Sequence, residues 1–238
     1  MIADYKITSF NNLKILKINK IITYDYIEHG IILKNDIIKN PLQIKELLSP
    51  DALIHLNQVH SDKVIFIKEI KKPIMQFTGD GLITDKIKVC LIVKTADCYP
   101  VFVIDKKNKL VGIIHCGRKG ILNEIILKTI KNIGIYDTEI YIGPGIGFDC
   151  YKVNNEIIDG YRKKEYYNAN RIRAQNGVPL LDLKGIIIDQ LLYSGIHHKN
   201  IFYIDICSHC RRDLFYSFRQ GDKNDSSRNY SYIFRKDR

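Results

Sequence analysis

Three residues in the first half of the chain put reactive side chains at the edges of apolar runs. His60 lies in NQVHSDKV, just ahead of one run. Cys98 lies in TADCYP, at the mouth of a second, and His115 lies in IIHCGRKG, at the exit of a third. Two neutral imidazoles and a thiolate make a three-ligand zinc set, which leaves a fourth position open to water or substrate. Water in that position ionises near pH 7 rather than at about 15.7. The separations of 38 and 17 residues match no zinc-finger template, so the reading rests on residue type alone. Two other readings fit the same residues. Cys98 can be a buried small hydrophobe between two hydrogen-bonded histidines. It can also be a nucleophile activated by His115 or His60.

Strand ends are what would hold these side chains. KVCLIVKT (88–95), YPVFVID (99–105) and LVGIIH (110–115) are β-branched and apolar, and KKNK between the last two suits a hairpin connection. LKILKINKIIT (13–23) largely alternates apolar and polar residues, and KVIFIKEI (63–70) and NIFYIDIC (200–207) are also strand-like. TGDGLITD (78–85) carries turn punctuation, and TEIYIGPGIG (138–147) reads as a strand running into a Gly/Pro turn. GPGIG lacks the G-x-x-x-x-G-K-[ST] form of a phosphate loop. Helical spacing predicts a helix over 35–48 with a proline near its start. A second is expected over 121–134 with Gly134 as its C-cap, and a third over 181–196 with Asp182 near its start. Strands and helices mix without a strict βα repeat. The expected class is α+β, a mixed β-sheet core with flanking helices, in one domain spanning 1–238.

Bulk composition bounds the function. The 238 residues are 45% hydrophobic, enough for a substantial core. No apolar run approaches the roughly eighteen residues of a membrane span, and the first residues lack the apolar segment of a secretory signal. Six cysteines without a dense regular spacing fit a reduced, cytoplasmic protein better than a disulfide scaffold. A formal net charge of +11 suits an anionic partner, although the lysines are spread through the chain. The one dense basic stretch, from Arg211 to Arg238, reads in isolation as a solvated tail. CSHC (207–210) is a lone C-x-x-C, open to a redox or second-metal reading that its spacing alone does not carry.

The phrases QVHS, TADCYPVFVID, GIIHCGRKG, GPGIGFDCYKV and LFYSFRQGDKNDSSR follow one another in an order that resembles the YfiH/laccase-domain family, also called the multicopper polyphenol oxidase family. The match runs from about residue 57 to the C-terminus. The resemblance implies a YfiH-like sandwich and zinc held by His60, Cys98 and His115, which would also be the catalytic residues. The chain departs from the family pattern at Arg118 (tryptophan in the family), Lys119 (arginine), Lys152 (glutamate) and Gln220 (arginine), and the family's N-terminal signature is scarcely visible in residues 1–50. Lys119 keeps the charge but not the bidentate fork of an arginine.

What the resemblance implies for activity is phosphorolysis of adenosine, inosine, guanosine and 5'-methylthioadenosine, with deamination of adenosine. Arg118, Lys119, Arg219 and Arg228 would bind the phosphate or substrate, and Asp97 and Asp80 are the carboxylates nearest in sequence for moving a proton. An alternative within the family is a hydrolase that removes misincorporated L-serine from a UDP-muramoyl precursor. A nucleic-acid-binding protein using the basic C-terminus ranks last, because it leaves the Cys/His trio without a role. The histidines number seven, His29, His55, His60, His115, His197, His198 and His209, and only two fall in family metal motifs. Several coppers would need far more.

Overall fold

A computed structural model of the chain describes residues 1–237. Two mixed sheets form its centre. The first has seven strands: β1 (Tyr5–Phe10), β2 (Leu13–Ile18), β3 (Ile27–Ile32), β15 (Asn229–Arg235), β8 (Val89–Thr95), β4 (Ala52–Asn57) and β6 (Ile74–Thr78), in that spatial order. The second has six: β14 (Ile201–Tyr203), β11 (Thr138–Ile142), β9 (Tyr99–Asp105), β10 (Leu110–Cys116), β7 (Gly81–Thr84) and β5 (Val64–Ile67). A separate hairpin pairs β12 (Ile172–Gln175) with β13 (Val178–Leu181).

Strand parity explains the layers. Leu91 and Val93 of β8 pack against Phe102 and Ile104 of β9 and Val111 and Ile113 of β10, in a core between the sheets. The alternate residues of the second sheet, among them Tyr99, Val101, Val103 and Ile114, turn outward. They bury against α3 (Arg118–Leu122), α4 (Ile125–Ile133), α5 (Asn155–Arg162) and α6 (Leu183–Tyr193). On the far face of the first sheet, Cys90 and Ile92 meet Ile44 of α2 (Pro41–Leu48). A further short helix, α1 (Asn19–Ile22), follows β2. Strands covered on both faces read as continuous apolar runs, which is why β8, β9 and β10 stand out in the sequence.

The α+β class and mixed sheets are as expected; several element boundaries are not. The strand expected over 13–23 ends at Ile18 and becomes α1. The helix expected over 121–134 is two helices, broken where Glu124 takes a left-handed φ of 70°. The break has a partner: the buried Gln190 amide of α6 donates to the Ile121 carbonyl at 2.7 Å. TGDGLITD is not only a turn, since Gly81–Thr84 form a wholly buried strand between β10 and β5. The basic C-terminal stretch is a solvated tail only in part: Arg211, Arg212 and Lys223 are exposed, but Asn229–Arg235 lies between β3 and β8 in the first sheet. Among the described residues, no helix is long and apolar enough to cross a membrane.

Candidate active site

One rim of the sandwich gathers the three residues singled out first. β8 ends the first sheet's run at Thr95 and β9 opens the second sheet at Tyr99, so Ala96–Cys98 cross from one sheet to the other. β10 returns antiparallel to β9 with Cys116 opposite Tyr99, which brings His115 beside Cys98. His115 shares the strand face of Val111 and Ile113 and therefore points toward the first sheet. There the loop after β4 presents His60. The ligand atoms of His60, Cys98 and His115 all lie within 4.8 Å of one another. The Cys98 thiol is 4.0 Å from His60 Nε2, and the two imidazoles meet edge to face with ring centres 4.8 Å apart.

Asp80 builds the cluster from beneath. It is wholly buried, immediately before β7, and its carbonyl accepts the His115 backbone N–H at 2.7 Å. Its Oδ1 accepts from His115 Nδ1 at 2.8 Å, which leaves Nε2 to face the cluster. The same carboxylate accepts from the backbone N–H of His60 and Ser61 (3.0 and 2.6 Å) and from the Ser61 hydroxyl (2.7 Å). One carboxylate thus orients both histidines, as metal-bound histidines require of their outer partners. The His60 backbone sits in the left-handed region, φ 58°, where those bonds hold it.

Burial would raise the Cys98 thiol, but the facing His115 and His60 imidazoles outweigh it and bring it down to about 6. Burial would lower His115, but the Cys98 thiolate and the Asp80 carboxylate raise it to about 9. The metal-free pair is therefore thiolate and imidazolium. The donor set, two imidazoles and a thiolate at ligating separation, fits a borderline-soft divalent ion such as zinc. Space fits as well: a Cβ on Gly117 would stand 2.7 Å from His60 Cδ2 and 3.1 Å from Cys98 Sγ.

The cluster lies in the wall of a cavity of about 600 Å³. All four positions expected to bind phosphate or substrate, Arg118, Lys119, Arg219 and Arg228, line it, and Lys94 adds a fifth cation. Their surroundings differ. Arg219 lies over the Tyr151 ring, 5.1 Å from its centre, and Arg118 reaches the same tyrosine. Arg228 Nη1 donates to the carbonyls of Asp222, Asn224 and Ser227, and Nη2 stands 3.6 Å from Asp225, so much of this guanidinium serves its own loop.

The two carboxylates nearest in sequence are occupied. Asp80 is spent on the histidines, and Asp97 accepts from the Ser208 hydroxyl and the Arg219 backbone N–H, both at 2.8 Å. Asp97 takes a φ of 80° to do so and ties the 208 and 219 loops to the cluster. Tyr151, Phe218, Lys94 and Gln58 also line the cavity and were not singled out from sequence. Tyr151 and Phe218 fall inside motifs that were quoted, beside Cys150 and Arg219, whereas Lys94 sits unmarked in an apolar run. The remaining histidines stand apart from this cluster. His29, for example, is buried, accepts the Ile18 N–H at 2.8 Å, and is held down to about 3 by burial and Lys17.

A two-sheet α+β sandwich with a His–Cys–His cluster in the wall of a cationic cavity defines the class of protein. The chain belongs to the family described as multi-copper polyphenol oxidoreductase laccase, which it matches over residues 34–236. A purine nucleoside phosphorylase of Clostridium acetobutylicum is 30% identical over 209 residues, covering 85% of this chain and 84% of that protein. An adenosine deaminase, RL5, from an unknown prokaryotic organism is 28% identical over 201 residues, covering 78% and 76% respectively. The crystal structure of the hypothetical protein YfiH of Bacillus licheniformis superposes with a TM-score of 0.82 at 23% identity, over 94% of this chain and 99% of that one. The names of the two relatives are those of enzymes of the nucleoside phosphorylase and deaminase type.

Proposed function

We propose that the chain is a zinc-dependent purine nucleoside phosphorylase that also deaminates adenosine. The observation that carries this reading is the placement of His60, Cys98 and His115 in the wall of a cavity ringed by Arg118, Lys119 and Arg219. The names of the relatives supply the substrate class. Zinc held by the trio would contribute Lewis acidity, including activation of water for attack on the amino-bearing carbon of adenine.

The protein's own groups do the rest. Arg118, Lys119 and Arg219 gather a phosphate dianion by charge-assisted hydrogen bonds, with Arg228 held back by its loop. In phosphorolysis a phosphate oxygen attacks the anomeric carbon of the ribose, and the bond to the purine nitrogen breaks with its electrons leaving on the base. Cations around the phosphate place it for that displacement. Half-exposed Phe218 offers a face on which a purine can stack, beside the buried Tyr151 ring that Arg219 covers. Asp80 keeps His115 Nδ1 protonated and its Nε2 directed at the cluster. In deamination, water adds to the purine carbon and ammonia leaves.

The test is to incubate metal-quantified protein with adenosine, with and without phosphate, and to identify products by chromatography. Adenine formed only with phosphate is the result expected for phosphorolysis, and inosine for deamination. Neither product, from protein carrying about one zinc at this site, overturns the reading. Release of serine from a UDP-muramoyl precursor by the same preparation would then put the precursor-editing activity in its place.

A further inference from the structure

The C-x-x-C of the sequence is not the close thiol pair in the fold. Cys210 faces Cys150 instead, 60 residues away in sequence, with sulfurs 3.4 Å apart. Cys150 ends a short 3-10 turn, Phe148–Cys150, on the loop after β11. His209 completes the group: the ligand atoms of Cys150, His209 and Cys210 all lie within 4.8 Å of one another. Cys207 lies outside this group: its thiol interacts with that of Cys150, and its Sγ accepts the Gly147 N–H at 3.1 Å. The Gln220 side-chain amide lies 2.9 Å from His209 Nε2. These cysteines are free thiols, and 3.4 Å is far beyond the roughly 2.05 Å of a disulfide.

The geometry points to a second metal site, formed by Cys150, His209 and Cys210, for a thiophilic divalent ion of the zinc type. A tetrahedron with metal–sulfur bonds of about 2.3 Å has sulfur–sulfur edges near 3.8 Å, close to the separation already present. Burial and the neighbouring thiols push Cys150 up to about 12, so without a cation this thiol holds its proton. A dication binds the thiolates, releases their protons and removes the repulsion between them. Cys150 and His209 are half-buried and Cys210 is exposed, which provides a route of entry.

None of its three ligands lines the cavity that holds the first cluster, so its role is structural. It would clamp the 147–151 loop to the 207–210 turn. Tyr151 follows Cys150 into the cavity wall, and Ser208, next to His209, holds Asp97 beside Cys98. The inference is independent of the nucleoside reading, since it concerns metal content and not turnover.

Full-length protein loaded with cobalt(II) tests it. Cys98→Ser removes the only sulfur of the first cluster, so any thiolate-to-cobalt charge-transfer absorption left must come from the second. The expected result is retained absorption and about one zinc per chain in Cys98→Ser, with both lost when Cys150→Ser and Cys210→Ser are added. A second measurement needs no variant: zinc should slow alkylation of Cys150 and Cys210 in the unaltered protein, mapped by mass spectrometry, and a chelator should restore it. Absence of charge-transfer absorption from fully reduced Cys98→Ser overturns the proposal. So does alkylation of Cys150 and Cys210 at the same rate with and without zinc, or a Cys150–Cys210 disulfide that reforms in reduced protein despite saturating zinc.

Discussion

Cys98, His115 and Asp80 form a charge alternation in which each group sets the state of the next. Metal binding at His60, Cys98 and His115 requires a thiolate and a neutral imidazole. With the thiol lowered to about 6 and the imidazole raised to about 9, one proton must leave His115 between those values. Below about pH 6 a second must leave Cys98. Metal affinity should therefore rise about tenfold per pH unit from 6 to 9, more steeply below 6, and level off above 9. Competition with a chelating dye across that range checks the profile. Asp80→Asn removes the charge behind His115 and leaves one acceptor oxygen where two now hold His115 and the His60–Ser61 loop. It should weaken metal binding by about 10–100-fold, measured with the same dye.

At the scale of the element, the site depends on the close passage of the β10–α3 junction under the cluster. Gly117 has φ −82° and ψ 160°, a conformation open to any residue, so glycine is needed here for space alone. Gly117→Ala would place its methyl carbon 2.7 Å from His60 Cδ2 and 3.1 Å from Cys98 Sγ. The expected outcome is a folded protein whose metal-free melting temperature moves by only a few degrees while metal content falls sharply. Calorimetry and metal analysis of the same sample separate the two effects. Elsewhere an element boundary has a distant partner: where α3 and α4 part, the Ile121 carbonyl accepts the Gln190 amide of α6 in addition to the Glu124 N–H at 2.9 Å.

Across the whole molecule, a net charge of +11 and five cations in one cavity create a field that draws anions. Screening shortens from about 10 Å at 0.1 M salt to about 3 Å at 1 M. On the proposed phosphorolysis, the KM for phosphate should therefore rise several-fold between about 0.05 and 0.5 M potassium chloride, with kcat little changed. Steady-state rates across that range measure it, and Arg219→Gln should raise the KM at low salt and flatten the dependence. The basic C-terminal stretch contributes to this field from within the fold. Arg219 and Arg228 sit at the cavity, while Asn229–Arg235 is pinned between two strands of the first sheet.

The amino-acid sequence by itself determined the α+β class, the strands β8, β9 and β10, and the residue types at their ends. Strands covered on both faces must be apolar throughout, and polar residues at their tips then stand out. It also singled out His60, Cys98 and His115, through side-chain chemistry and family resemblance. Only the tertiary structure decided that these three meet, because their meeting depends on β8 and β9 belonging to different sheets and on β10 returning beside β9. It likewise decided that Asp80 and Asp97 hold the site together, that Cys150 rather than Cys207 faces Cys210, and that part of a basic-looking tail is an internal strand. Each of these depends on contacts between residues far apart along the chain, and neither local periodicity nor composition contains them.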